Sequence, residues 1–193
     1  LAGAGTSGKA LFLGGIAMLT LGLAFKAAVV PFHVWAPDVY DGAPSPVTAF
    51  MAVGTKVGAF AAFIRVFMEA LPHFDSVWNQ GIAFLAFPTL IYANIVALRQ
   101  TQLRRFFAYS GISHAGFLLI PLAAGTPDAL PSMLFYLVVY ALATLGAFAV
   151  IAYLDKRNQG VVLHDLYGLF QRAPVQAVIL TLCMLTLAGI PPT

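Results

Sequence analysis

Charged residues are scarce in this sequence. Asp, Glu, Lys and Arg make up 9% of its 193 residues, whereas about 25% is usual in soluble domains. Hydrophobic residues make up 61%, and the mean hydropathy is +0.89. Because so few charges cannot cover the exterior of a soluble protein of this length, the composition predicts a membrane protein.

Cysteine is almost absent, since Cys183 is the single one. One cysteine cannot form an internal disulfide, and there is no CxxC pair or Cys/His cluster of the kind that binds zinc or iron–sulfur clusters. A glycine-rich phosphate loop, a Ser/His/Asp order and paired catalytic carboxylates are missing too. The net charge of +3 is spread between apolar runs, which argues against nucleic acid. We therefore expect no metal, redox cofactor or nucleic acid on this chain.

The sequence also lacks an initiator methionine and a signal-peptide pattern, and it stops within an apolar segment. We expect an internal piece of a longer polytopic protein. A helix needs about 20 apolar residues to cross the hydrocarbon core, and the run lengths favour helices over short membrane strands. This predicts an all-α fold of about six transmembrane helices, the first of them long and broken at Pro31. The predicted segments are residues 10–40, 46–71, 81–98, 106–124, 129–154 and 174–190.

Basic residues divide unequally between the two sides of such a bundle. If the segments alternate, Lys9 and Arg65 lie on one side and all the other loop cations on the opposite side. The positive-inside rule then predicts that loops 38–46, 99–105 and 155–173 face the cytoplasm.

Most of the remaining charges are interpreted as structural. Arg65 and Glu69 are four residues apart, a spacing that predicts an ion pair on one helix face. The double-basic sequences at 104–105 and 156–157 are expected to anchor helix ends.

Lys56 is a charge at membrane depth. It lies about ten residues into the second segment, hence about 15 Å deep, which is beyond the reach of a snorkelling side chain. A charge at this depth costs about 2.5–3.5 kcal/mol on insertion scales and marks a functional site by default. The alternative is a neutral lysine in the packing, or a structural ion pair.

Lys26 lies shortly before Pro31, where the helix must break. A broken helix at membrane depth is tolerated only where it lines protein or water, and broken helices mark ion pathways in transporters. We therefore predict a functional Lys26, the alternative being a lysine that ends a helix and reaches the interface. His33 follows the break, and an interfacial position beside Trp35 is favoured over a place in the pathway.

His114 falls near mid-depth in its segment. Histidine titrates near neutrality and suits a proton relay, and a packed, hydrogen-bonded histidine is an equal alternative. Lysine and histidine both carry protons, whereas sodium would need buried oxygen ligands, which are sparse here. Together these residues predict an ion-translocating membrane subunit, with the proton as the natural ion.

Three stretches resemble the antiporter-like subunits of respiratory complex I. They are KAAVVPFHVWAPDVYDGAPSPVTAF at residues 26–50 (followed by Lys56), QTQLRRFFAYSGISH at 100–114 and LAGIPPT at 187–193. The residues of the broken-helix and loop motif are Pro31, His33, Asp38, Tyr40, Gly42, Pro44 and Pro46.

The resemblance implies a larger fold of two inverted repeats, with Lys26 on its broken seventh helix and Lys56 on its eighth. It implies a proton path through Lys26, Lys56 and His114 in a bacterial cytoplasmic membrane, coupled to quinone reduction elsewhere in the complex. It also implies that NADH, FMN, iron–sulfur clusters and quinone are bound by other subunits. Neighbouring antiporter-like subunits and the lipid bilayer are the partners it implies.

The match is not complete. Arg104 stands where many relatives have lysine, the glutamate partner of Lys26 would precede Leu1, and the lysine of the twelfth helix would follow Thr193. An Mrp-type cation/proton antiporter subunit or a membrane-bound hydrogenase subunit on the same fold is one alternative. A structural membrane-arm subunit whose lysines are vestigial ion pairs is the other.

Overall fold

The computed structural model describes residues 6–126, 128–155 and 160–190, and within them it contains helices and no strand. One π-helical stretch, Ile64–Ala70, directly follows the α-helix Ser45–Phe63. Short 3₁₀ turns lie at Pro72–Phe74 and Leu163–Leu166. The α-helices are α1 Thr6–Ala27, α2 Trp35–Gly42, α3 Ser45–Phe63, α4 Asp75–Ala97, α5 Leu103–Ala124, α6 Ala129–Leu154, α7 Leu169–Arg172 and α8 Pro174–Leu187.

Five of the six predicted segments are long and apolar enough to span a membrane. The sixth, predicted at 174–190, is the helix α8 of 14 residues. At 1.5 Å per residue it is about 21 Å long, which is less than the hydrocarbon thickness of about 30 Å. The spanning stretches are Gly8–Ala27, Ser45–Ala70, Val77–Ala97, Leu103–Ala124 and Ala129–Leu154.

The predicted break around Pro31 is confirmed. Ala28 adopts a left-handed conformation with φ of 59°, and the chain between α1 and α2 is held by contacts other than a regular helical ladder. The backbone N–H of Val30 donates to Thr89 Oγ1 at 3.1 Å, and Trp35 Nε1 donates to the carbonyl of Phe25 at 3.0 Å. These side chains supply partners that the interrupted helix cannot.

The helix α5 lies at the centre of the bundle and packs against α2, α3, α4 and α6. It is the most buried of the spans, with 61% of its apolar stretch buried. Its approach to α4 is close at Gly116, where an added Cβ would lie 2.9 Å from Leu90 Cγ. The helix ends at Gly125, whose φ of 60° is the conformation that favours glycine at a helix C-terminus.

The three loops predicted to share one side do meet at one end of the bundle. Leu103 donates its backbone N–H to Val161, and Leu163 donates to Thr101. Arg105 Nη1 pairs with Asp38 at 2.8 Å. That this end faces the cytoplasm remains a prediction from the basic residues. The double-basic sequence at 156–157 lies outside the described residues.

Candidate functional site

Lys56 lies on the inner face of α3 and is 1% exposed, so the burial predicted from its depth is confirmed. Among the described residues, the ion pairs of the structure do not include Lys56. Its charged form is therefore not neutralised by an acidic side chain in this part of the protein. A buried amine in that position is sensitive to any change in nearby charge or hydration.

The side chain of Lys56 reaches towards α2 and α5. Its Nζ lies 6.0 Å from the centroid of the Tyr40 ring, which is at the outer limit of a cation–π contact. On the α5 side, a Cβ added to Gly111 would lie 3.1 Å from Lys56 Nζ and 3.1 Å from Tyr140 Oη. The missing side chain of Gly111 therefore leaves the space in which the amine and this hydroxyl approach each other.

His114 lies one turn beyond Gly111 on α5 and is 7% exposed. Its ring centroid is 5.1 Å from that of Tyr140, and its Nδ1 is 2.6 Å from Tyr136 Oη. Tyr140 Oη donates to the carbonyl of Ala52 at 3.3 Å. Tyr140 therefore neighbours both the space beside the Lys56 amine and the ring of His114.

A small cavity adjoins His114, and Lys56 is not among its lining residues. It has a volume of about 60 Å³, enough for at least one water molecule at about 30 Å³ each. Its lining combines His114 and the two α6 tyrosines with residues from the end of α8. The lining residues are His114, Tyr136, Val139, Tyr140, Thr186, Leu187 and Gly189.

Sequence reasoning missed three residues near Lys56 or His114, which are Gly111, Tyr136 and Tyr140. It placed Tyr40 in the loop motif but did not bring it close to Lys56. The spacing of Tyr136 and Tyr140 was an available signal, because residues four apart share one helix face. Gly111 carried no such signal, since its role depends on Lys56 of α3 and Tyr140 of α6, which approach it only in the folded protein.

The structure does not bring Lys26 to this group. Lys26 lies in the last turn of α1 and is exposed, a position where a cation interacts favourably with the helix C-terminus. The expectation of a wet or protein-lined surrounding for Lys26 is therefore not met within the described residues. Its functional role stays a prediction.

His33, for which an interfacial position beside Trp35 was favoured, is buried inside the bundle. It is 7% exposed, and its ring packs against Tyr92 at 4.8 Å and Tyr109 at 6.5 Å between centroids. The break in the helix turns the chain inward at this point, which buries the ring against α4 and α5. Its place at the membrane interface or in the pathway stays a prediction.

The loop motif forms the junction between α2 and α3. Asp38 pairs with Arg105, Gly42 ends α2, and Pro44 and Pro46 flank the start of α3. Proline is well tolerated in the first turn of a helix because the backbone N–H there has no helical partner. The motif thus fixes where α3 begins, and this sets the position of Lys56 along that helix.

The predicted anchoring of helix ends by residues 104–105 is confirmed, and Arg104 does it from an unexpected place. It is 3% exposed and forms an ion pair with Asp155. Its Nη1 donates to the carbonyls of Asp41 at 3.0 Å and Ala43 at 2.9 Å.

The predicted pair of Arg65 and Glu69 is also present, with an N–O distance of 3.1 Å on the exposed surface.

Comparison with known proteins gives consistent matches. The family described as NADH:quinone oxidoreductase/Mrp antiporter, TM, matches residues 3–193. NADH-quinone oxidoreductase subunit N of Protochlamydia amoebophila is 67% identical over 188 residues, which cover 97% of this chain and 39% of that protein. The chain therefore spans about two fifths of the length of this relative.

Two solved structures share the fold. A chain of respiratory complex I from Thermus thermophilus with bound aureothin has a TM-score of 0.80 at 38% identity, over 94% of this chain and 39% of that chain. A chain of the Mrp complex from Dietzia sp. DQ12-45-1b has a TM-score of 0.85 at 28% identity, over 92% and 33%.

Proposed function

This chain belongs to the NADH:quinone oxidoreductase/Mrp antiporter family, and we propose that it is part of a proton-translocating subunit N of an NADH:quinone oxidoreductase. The 67% identity to a subunit N supports this assignment. So does the form PDVYDGAP at residues 37–44, which is the feature that favours subunit N among the antiporter-like subunits. The membrane is a bacterial cytoplasmic membrane, with loops 38–46, 99–105 and 155–173 on the cytoplasmic side.

The observation that carries the proposal is the burial of Lys56 in mid-span beside Gly111 and Tyr140. The amine takes up a proton and passes it on through the hydroxyl of Tyr140 and the imidazole of His114. The cavity beyond His114 holds the water that continues the path towards the end of α8. This order runs from α3 to α6, then to α5, and on towards the end of α8, and it is supported by the positions of Lys56 Nζ and Tyr140 Oη beside Gly111, by the ring contact of Tyr140 with His114 and by the cavity lining.

Coupling to electron transfer is indirect in this proposal. Quinone reduction in another subunit changes the charge of an acidic partner of Lys26, and this changes the balance between the protonated and neutral forms of the lysines. Electrons do not pass through this chain, and NADH, FMN, iron–sulfur clusters and quinone are bound by other subunits. Neighbouring membrane subunits and lipid surround the spanning helices.

The test is Lys56→Ala in the full-length protein, with NADH-driven acidification of inverted membrane vesicles as the readout. Quinone reduction and the amount of assembled complex are measured on the same vesicles. The matched control is Lys9→Ala, which removes an exposed lysine of α1. We expect acidification per electron to fall in Lys56→Ala and to be unchanged in Lys9→Ala, with assembly normal in both.

Unchanged acidification per electron in Lys56→Ala, together with weaker assembly, would instead support the structural membrane-arm role. If NADH drives no acidification even in the wild type, the assignment to the oxidoreductase is wrong.

An Mrp-type cation/proton antiporter is the second candidate, favoured by the TM-score of 0.85 to the Dietzia complex. It requires no NADH. A sodium gradient imposed on the same vesicles in the absence of NADH would then drive proton movement that Lys56→Ala abolishes, whereas the oxidoreductase proposal expects NADH dependence.

A further inference from the structure

The ion pair of Arg104 and Asp155 is almost completely buried, with side-chain exposures of 4% and 3%. Arg104 lies in the first turn of α5, and Asp155 directly follows α6. Removing two charges from water is costly, and a well-packed apolar pair is often as stable or more so. A buried pair between two helix ends is therefore better explained by the geometry it imposes than by the stability it adds.

The same guanidinium also holds the end of α2. Arg104 Nη1 donates to the carbonyls of Asp41 and Ala43, which belong to the helix end where carbonyls lack helical partners. From the α3 side, Thr48 Oγ1 donates to the carbonyl of Tyr40 at 3.1 Å. The junction of α2 and α3 is thus fixed by contacts on both sides, and Arg104 supplies those from α5.

Each helix end joined by Arg104 belongs to a helix that carries a residue of the Lys56 site. Tyr40 directly precedes Asp41 on α2. Gly111 lies two turns beyond Arg104 on α5, about 10 Å further along and on the same face. Tyr140 lies on α6, the helix that Asp155 follows. A shift of any of these helix ends changes the surroundings of the amine.

We propose that Arg104 is a positioning residue for Lys56. Through Asp155 and the carbonyls of the α2 end, its guanidinium fixes the relative placement of α2, α5 and α6 and so holds the Tyr40 ring and the Gly111 backbone beside the amine. The planar fork of arginine serves an acceptor pair and a carboxylate together. Lysine keeps the charge but can donate to these acceptors only from a single nitrogen. We therefore expect Arg104→Lys to keep part of the positioning of α2, α5 and α6. This inference rests on the proposed function only for the importance of Lys56.

The experiment measures geometry rather than proton movement. All cysteine variants are made in the full-length, assembled protein without other cysteines. Lys56→Cys reports on the site. Ile82→Cys reports on general loosening, because Ile82 is 0% exposed and belongs to a different core cluster from Tyr40. The rate of labelling by N-ethylmaleimide is measured for each cysteine with Arg104, Arg104→Lys or Arg104→Gln. Arg65→Gln is the matched control, because its ion pair is exposed.

We expect Arg104→Gln to accelerate labelling of Lys56→Cys at least tenfold and Arg104→Lys to accelerate it by an intermediate factor. Labelling of Ile82→Cys, and all rates in Arg65→Gln, should change less than twofold. Asp155→Asn should reproduce the effect of Arg104→Gln at position 56.

Unchanged labelling at position 56, or equal acceleration at both cysteines, overturns the inference. Should Arg104→Gln fail to assemble, Arg104→Lys decides in the same way, since a labelling rate equal to that of the parent refutes the positioning role. The labelling does not require the protein to pump. A failure of the proposed function, seen as unchanged acidification in Lys56→Ala, is therefore distinguishable from a failure of this inference.

Discussion

Replacing Gly111 by alanine tests whether the space beside Lys56 is functional. The new Cβ would lie 3.1 Å from both Lys56 Nζ and Tyr140 Oη, so each must move by a few tenths of an ångström. Both atoms are the ends of flexible side chains, and the neighbouring backbone does not have to shift. The substitution therefore displaces the two polar groups while leaving the helix packing in place.

The expected effect on stability is small. Crowding costs about 1 kcal/mol, the lower end for overpacked positions, because the neighbours can give way. Alanine is favoured over glycine in a helix by about 1 kcal/mol, which offsets that cost. The effect on proton transfer is larger, because a misplacement of about 1 Å can cost about 100-fold in rate. For a few tenths of an ångström we expect the rate of acidification to fall about two- to tenfold.

Two other glycines provide matched controls. At Gly116 an added Cβ meets Leu90, including its backbone nitrogen at 3.3 Å, so Gly116→Ala should separate α4 from α5 and destabilise the protein by about 1–3 kcal/mol. At Gly58 nothing lies within 4 Å of the added atom. Gly58→Ala should therefore change neither assembly nor acidification.

The assay is NADH-driven acidification per assembled complex in inverted vesicles, with assembly measured by native gel electrophoresis. We expect Gly111→Ala to assemble normally and pump slowly, and Gly116→Ala to assemble poorly and pump normally per complex. If Gly111→Ala pumps at the wild-type rate per assembled complex, whether it assembles normally or poorly as a packing defect would, the space beside Lys56 has no role in proton transfer.

Two further predictions concern α6. Tyr136→Phe removes the hydroxyl that lies 2.6 Å from His114 Nδ1, and we expect a loss of about 1 kcal/mol in stability and slower acidification. The control Tyr167→Phe, at a side chain that is 73% exposed, should change neither. Equal acidification rates in the two variants would contradict a role for the hydrogen bond of Tyr136 with His114. Gly146→Ala places a Cβ 2.7 Å from Cys183 Sγ and should destabilise the contact of α6 with α8 by about 1–3 kcal/mol. Adding Cys183→Ala should restore most of that loss in thermal inactivation, and strictly additive effects would show that the sulfur is not the obstacle.

Apolar run lengths predicted the spanning helices well, because the cost of unpaired backbone groups in lipid leaves the chain little choice. Hydropathy reports the membrane and not the helix end, which explains the error at α4. That segment was predicted to begin at 81, whereas the helix begins at Asp75, because its polar first turn is helical but lies before the apolar run. Pro88 lies inside the same helix, while Pro31 breaks its own, so proline alone did not decide where a helix ends.

The candidate site was only partly predictable. The depth of Lys56 follows from its position within one segment, so its burial could be inferred without knowledge of any other helix. Tyr140 and Gly111 reach the same amine from two other helices, and helical periodicity does not specify which faces of separate helices meet. The same holds for Arg104, whose partner Asp155 lies 51 residues further along the chain. Charge pattern alone therefore gave no indication that Arg104 is buried.

Arg104 and Lys56 are both buried, and they differ in whether an acidic side chain pairs with them. Arg104 is paired with Asp155, and this ion pair together with its contacts to the end of α2 is suited to holding helix ends in place. Lys56 has no acidic partner among the described residues, so nothing there fixes its charge. In the proposed path the Lys56 amine gains and loses a proton, and such a group needs neighbours whose positions do not change with its charge. The positioning role proposed for the buried ion pair of Arg104 and Asp155 supplies such fixed neighbours.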